Sequence, residues 1–202
     1  VDFVLNNNNG VLQTANYTLL LSHSEPAAYR DLIGTGAYAL GRYRHTPLGG
    51  DYHGHTYLLQ AGASTRGPFP HHGVSAIAAI EEQRPTNYAF GSVFPFARGY
   101  EARARYKLWR AGASYALPLW YPDINIGPLL FVRRVQAEGF GDYSVGYSSG
   151  GANKTYYRSA GVELTADVVP FSIKQTWRAG IRYSYRVDAA EPWRTQFIVQ
   201  LR

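Results

Sequence analysis

The chain has 202 residues, with 46% hydrophobic, 15% aromatic and 17% charged side chains, 17 Tyr, 21 Gly, and neither Cys nor Met. A disulfide framework, a zinc–thiolate site and a thiol nucleophile are excluded, apolar runs are too short for a transmembrane helix, and the aromatic content argues against disorder. Lys plus Arg outnumber Asp plus Glu by 20 to 14, a net charge of +6, but the basic residues are interleaved with apolar ones rather than gathered into a nucleic-acid-binding patch.

The start at Val1, without an initiator Met, reads as a processed chain or a fragment, with any export signal lying upstream. A short strand is possible over 2–5, followed by the Asn6–Asn9 tract. Strand candidates follow over 11–23, 30–44, 55–65 and 73–83, separated by Gly- and Pro-rich connections at 47–54 and 67–72. A long connection covers 84–99. Between 101 and 119 the alternation has no single phase. Arg103, Arg105 and Lys107 share odd parity with Trp109, Ala111, Ala113, Tyr115 and Leu117, which predicts a bulge or an end of membrane contact near Leu108 and Trp109.

After a short connection at 120–127, the 135–145 segment sets Gln136, Glu138, Phe140, Asp142 and Ser144 against Val135, Ala137, Gly139, Gly141, Tyr143 and Val145. A long connection at 147–153 leads to the clearest pair of strands. Over 156–168 the even positions are Tyr156, Arg158, Ala160, Val162, Leu164, Ala166 and Val168. Arg158 is their one polar member. The odd positions include Ser159, Glu163, Thr165 and Asp167. Over 177–188, Trp177, Ala179, Ile181, Tyr183, Tyr185 and Val187 alternate with Arg178, Arg182, Ser184, Arg186 and Asp188. A terminal strand covers 195–201.

Successive side chains of a strand point to opposite faces, so each of these segments has one apolar and one polar side. Their length of about 11–13 residues suits a tilted bilayer crossing better than a soluble sandwich, whose strands run about five or six. The fold class expected is therefore all-β: an antiparallel transmembrane β-barrel with about nine or ten strands in this chain. Residues 1–202 would form an outer-membrane barrel domain or the C-terminal portion of one. Val162, Leu164, Trp177, Ile181 and Tyr183 would face lipid. Glu138, Glu163, Asp167, Arg178, Arg182 and Arg186 would face the lumen, either selecting anions in an open pore or, the reading preferred, neutralising one another across neighbouring strands.

The order of elements after residue 84 resembles the C-terminal half of the barrel in the BamA-like superfamily of outer-membrane assembly factors and surface antigens. A long loop ends in Phe96-Ala97-Arg98-Gly99-Tyr100, a strand ends in Leu117-Pro118-Leu119, and the next carries Phe140-Gly141-Asp142. Two alternating strands and a short terminal strand follow. Segment 30–83 also looks like barrels that follow a TolB-type propeller. The chain departs from the superfamily pattern at Ser144, where glycine is usual, at its Leu201-Arg202 end, where an aromatic is common, and in its smaller strand number. That number implies a fragment, a wall completed by a partner chain, or a smaller complete barrel.

The resemblance implies a loop-to-barrel latch made of Arg98, Gly99, Tyr100, Phe140 and Asp142, with Arg98 meeting Asp142 in the lumen. It also implies a non-enzymatic role in protein insertion or translocation at the outer membrane of a Gram-negative-type bacterium, or as an accessory scaffold there. Lipid or lipopolysaccharide, and other subunits or an N-terminal remainder of the protein, would be the partners. A passive pore or transporter for small solutes is the alternative, and a membrane-embedded hydrolase is disfavoured because no catalytic triad or nucleophile elbow is visible. No cofactor and no metal are expected: His53, His55, His71 and His72 lie in turns without enough acidic neighbours to complete a shell.

Overall fold

A computed structural model describes residues 10–25, 31–47, 50–103, 105–127, 129–148, 153–171 and 175–201. The expected strand over 2–5 and the Asn6–Asn9 tract lie outside these residues. Ten strands make up one antiparallel sheet: β1 (Ala15–Ser24), β2 (Gly36–His45), β3 (Gly54–Arg66), β4 (Gly73–Pro85), β5 (Lys107–Trp120), β6 (Ile124–Ile126), β7 (Leu130–Tyr147), β8 (Lys154–Pro170), β9 (Trp177–Arg186) and β10 (Trp193–Leu201). No helix occurs among the described residues.

The hydrogen-bonded path is β1-β2-β3-β4-β5-β7-β8-β9-β10, with β6 paired to β7. β6 prolongs the line of β5: both pair with β7, β5 through Lys107 to Trp120 and β6 through Ile124 to Ile126. The path thus contains nine strands, each antiparallel to the next. β1 and β10 therefore run in the same direction and form its two ends. The sheet is not closed. It nevertheless curls far enough that Ser22 of β1 and Gln200 of β10 line the same cavity.

Polarity is inverted relative to a protein folded around an oily core. On β8 the inward residues Ser159, Glu163, Thr165 and Asp167 are buried, Asp167 completely, while outward Val162 and Leu164 are about half exposed. On β9 inward Ser184 is buried, and Trp177, Ile181, Tyr183 and Tyr185 are exposed. Phe197 on β10 is 87% exposed. Outward aromatics meet across neighbouring strands near one end of the wall. Tyr17 faces Tyr43, which faces Tyr57; Trp109, Tyr143 and Tyr156 form a second run; Tyr183 and Tyr185 both lie against Trp193.

Several boundaries differ from the sequence expectation. β5 starts at Lys107, so Arg103 and Arg105 precede the strand and have no phase to share with Trp109. Leu108 and Trp109 pair in regular register on both sides. The irregularity instead falls at Pro118/Trp120, where proline lacks the N–H that the ladder needs. A second irregularity lies between Val132 and Arg134 of β7, and Arg134 beyond it is buried. β6 lies within the stretch expected to be a plain connection. β2 begins at Gly36; residues 26–30 lie outside the described segments.

A candidate functional site: the inward loop and the charged wall

The connection from β4 to β5, residues 86–106, turns into the concave side of the sheet instead of extending away from it. Its composition explains this. Phe90, Phe94 and Ala97 are buried, and Phe94 joins Leu58, Ala79 and Leu108 in an apolar cluster against which Leu40 and Phe96 pack. The inner wall is apolar at this end, and the loop aromatics cover it.

Polar tethers from most of the wall hold the loop. Arg44 of β2 donates from Nη2 to the Gly91 carbonyl at 2.7 Å and lies over the Phe90 ring. Ser92 Oγ donates to Glu81 Oε1 of β4 at 2.7 Å. Arg110 of β5 donates from Nη1 to the carbonyls of Pro95 and Phe96, both at 2.9 Å. Arg194 of β10 donates to the Gly99 carbonyl at 3.2 Å. Tyr100 Oη donates to the Arg158 carbonyl at 3.0 Å and accepts from the Asp188 amide at 3.1 Å.

Arg98 stands at the centre. Its main-chain N–H and its Nε both donate to Asp142 Oδ2, at 3.1 and 2.8 Å. Nη1 donates to Glu138 Oε1 at 3.0 Å and Nη2 to Ser114 Oγ at 2.9 Å. The guanidinium lies 4.0 Å from the Phe140 ring centroid. Asp142 also accepts on Oδ1 from Arg110 Nη2 at 2.6 Å. The loop can approach this closely because position 99 has no side chain: Gly99 has φ +87°, and a Cβ there would lie 2.5 Å from Ser184 Oγ. All five residues of the expected latch, Arg98, Gly99, Tyr100, Phe140 and Asp142, therefore lie at this junction.

Of the remaining lumen-facing charges, all but Arg186 pair across strands. Arg182 Nε donates to Glu163 Oε1 at 2.7 Å. Asp167 takes Arg134 Nε at 2.6 Å and Arg178 Nε at 3.2 Å. The Gln136 carboxamide, with its oxygen turned toward Arg178, accepts from that guanidinium at 2.8–3.1 Å. Arg186 sits at the strand end, donating to the Glu191 carbonyl at 2.5 Å. Arg158, the polar exception on the outward face, pairs with Asp188. Asp188, in the connection after β9, is held below the usual carboxylate range chiefly by the hydrogen bond from Arg158. Burial raises the Tyr100 phenol above its usual value.

Sequence reasoning missed Arg110, Ser114, Arg134 and Glu81. Arg110 and Ser114 have the even parity of β5, which becomes the inward set (Leu108, Arg110, Gly112, Ser114, Ala116) once the strand is started at Lys107. Arg134 was hidden by the bulge. Of the histidines, His71 approaches Asp31 at 3.0 Å and His72 meets the Tyr115 hydroxyl at 2.5 Å. No group of three His, Asp or Glu side chains able to hold a metal is found among the described residues.

No protein-family model, no curated protein and no solved structure matches this chain.

Proposed function

We propose that this chain is the wall of an outer-membrane β-barrel of a Gram-negative-type bacterium, with a plugged interior. Its role would be as a scaffold for protein insertion or translocation, in the manner of the BamA-like superfamily that segment 84–202 resembles. One observation carries the membrane reading: paired charges buried on the concave face, and apolar side chains exposed over the convex one. In water such a surface would be an aggregation hazard; in a bilayer it is the stable arrangement, because acyl chains solvate the outer face and the charged groups of the inner face are paired across strands. The nine strands of the path are 9–18 residues long, enough for the ~9–11 residues a tilted crossing requires.

Strand parity bears on what completes the wall. Because β1 and β10 point the same way, contact between them would be a parallel pair. A second copy sharing the same membrane orientation would also offer β10 a parallel neighbour. Bacterial single-chain barrels are antiparallel throughout, with even strand numbers. An antiparallel closure of the wall therefore takes an odd number of strands beyond those described.

The scaffold reading is favoured over a passive pore because residues 90–100 fill one end of the interior and the wall charges are engaged with one another. A small-solute pore is the second reading, supported by a cavity of about 540 Å³ left beside the loop. Planar-bilayer recording separates the two. The scaffold predicts low, flickering conductance that becomes larger when residues 86–99 are deleted; a large, steady conductance of the intact protein would favour the pore.

A further inference from the structure

The cavity beside the loop has two unlike walls. Strands β1–β4 contribute Ser22, His23, Ser24, Tyr38, Ser64 and Ser75 and no Asp, Glu, Lys or Arg, whereas β5–β9 with the loop contribute Arg98, Arg110, Arg178, Arg182, Glu138 and Glu163. The network behind the charged wall contains five guanidinium groups, on Arg98, Arg110, Arg134, Arg178 and Arg182. It contains four carboxylates, on Glu138, Asp142, Glu163 and Asp167. Among the described residues one positive charge of this network is in excess.

The guanidinium groups are not equally committed. Arg98 and Arg110 are used from Nε to both terminal nitrogens. Arg178 is held by Asp167 and Gln136. Arg182 donates only through Nε, to Glu163, and lies about 6.0 Å from the Phe140 ring centroid. Its two terminal nitrogens have no acceptor among the described residues. Its side chain is 17% exposed and lines the cavity, so those N–H groups open into it. A donor fork without a protein acceptor, beside a network of excess positive charge, suits an anion. The planar arrangement suits two oxygens of one phosphate or carboxylate group.

We propose that this cavity is a binding site for a small hydrophilic solute carrying one oxyanion group, gripped by the Arg182 fork. The hydroxyl-bearing body of the ligand lies against the serines and Tyr38 of the opposite wall. The volume lies within the range of about 300–1,000 Å³ usual for small-molecule sites and exceeds what bare phosphate would fill. The hydroxyl wall therefore has room to contribute. This inference uses only the concave face and holds whether or not the convex face meets lipid.

The test is calorimetric titration of the purified full chain in detergent with glucose 6-phosphate, inorganic phosphate and glucose. The order expected is sugar phosphate tightest, phosphate weaker, glucose undetectable, with Arg182→Gln weakening the sugar phosphate about tenfold or more and Arg182→Lys falling between. Equal binding of glucose and its phosphate, no binding of the phosphate at millimolar concentration, or an Arg182→Gln affinity equal to wild type would each overturn the proposal. Because Arg182→Gln also removes a partner of Glu163, the wild-type protein supplies an independent reading. Saturating sugar phosphate should raise its unfolding midpoint, and an unchanged midpoint counts against the site.

Discussion

Arg98 binds Asp142 twice, through its main-chain amide and through its side-chain Nε, to the same carboxylate oxygen. The contact thus fixes the backbone of the inward loop as well as the guanidinium. The Asp142 side chain is completely buried and that of Arg98 is 15% exposed, so the carboxylate has no water to fall back on.

Asp142→Ala takes from buried Arg110 its only carboxylate partner among the described residues, and from Arg98 one of two close ones. It is expected to destabilise the fold by about 3–5 kcal/mol, measured as a shift in the urea midpoint at constant slope. Arg98→Ala leaves Asp142 paired with Arg110 and is expected to cost less. Arg98→Lys restores the charge but not the fork to Asp142, Glu138 and Ser114, and is expected to recover less than half of the loss. Limited proteolysis should then cut first within residues 86–106.

Gly99 makes the approach possible. A Cβ on a residue at φ +87° costs about 1–2 kcal/mol for conformation alone, and here it would also strike Ser184 Oγ. Gly99→Ala is expected to cost more than this conformational term. Adding Ser184→Ala should return only the steric part. Full recovery in the double variant would mean that the left-handed backbone is not needed.

The alternation of β8 and β9 could be read directly because nothing interrupts it: every inward residue from Ser159 to Asp167 is polar or glycine. β5 was harder. Arg103 and Arg105 have the parity of Trp109 by coincidence, and only the loop's inward turn, driven by Phe90, Phe94 and Phe96 covering Leu58 and Leu108, shows that they precede the strand. The bulge at Pro118 had a local signal in the proline itself. That at Val132 had none, so Arg134 was not placed beside Asp167. Arg98 and Asp142 could be paired in advance because a motif joined them; Arg110, which shares Asp142, had no motif.

Outward positions should tolerate apolar residues and reject charge. Leu164→Arg and Ile181→Arg are expected to cost about 2–4 kcal/mol in bilayer-reconstituted protein. Solvent-facing sites in water would move by less than about 0.5 kcal/mol. Unfolding in lipid vesicles compares the two.

Asp188 and Arg158 lie in the connection after β9 and on the outward face of β8. The Asp188 carboxyl is depressed by its hydrogen bonds to Arg158. Its contribution is therefore fully present above the unfolded carboxylate value of about 3.9. That contribution is lost as pH falls through the lower folded value. Asp188→Asn should lower the unfolding midpoint slightly at pH 7, since exposed pairs contribute little, and the gap to wild type should close in acid. A gap that widens with acidification would contradict the assignment.

Direct closure between β1 and β10 would be a parallel pair, and the wall is expected to avoid it. The absence of native cysteine makes disulfide trapping simple. Ser22→Cys with Gln200→Cys should not oxidise to a bond within one chain, which requires Cα atoms about 4.4–6.8 Å apart. The facing pair Thr195→Cys and Tyr183→Cys across β9 and β10 should do so readily.

The four tryptophans test the central claim without any substitution. Trp109, Trp120, Trp177 and Trp193 all lie on the convex face, the last three well exposed. In reconstituted vesicles, lipids brominated along the acyl chain should quench most of their fluorescence, and aqueous iodide should quench little. Strong iodide quenching with no effect of the brominated chains would mean that the convex face meets water.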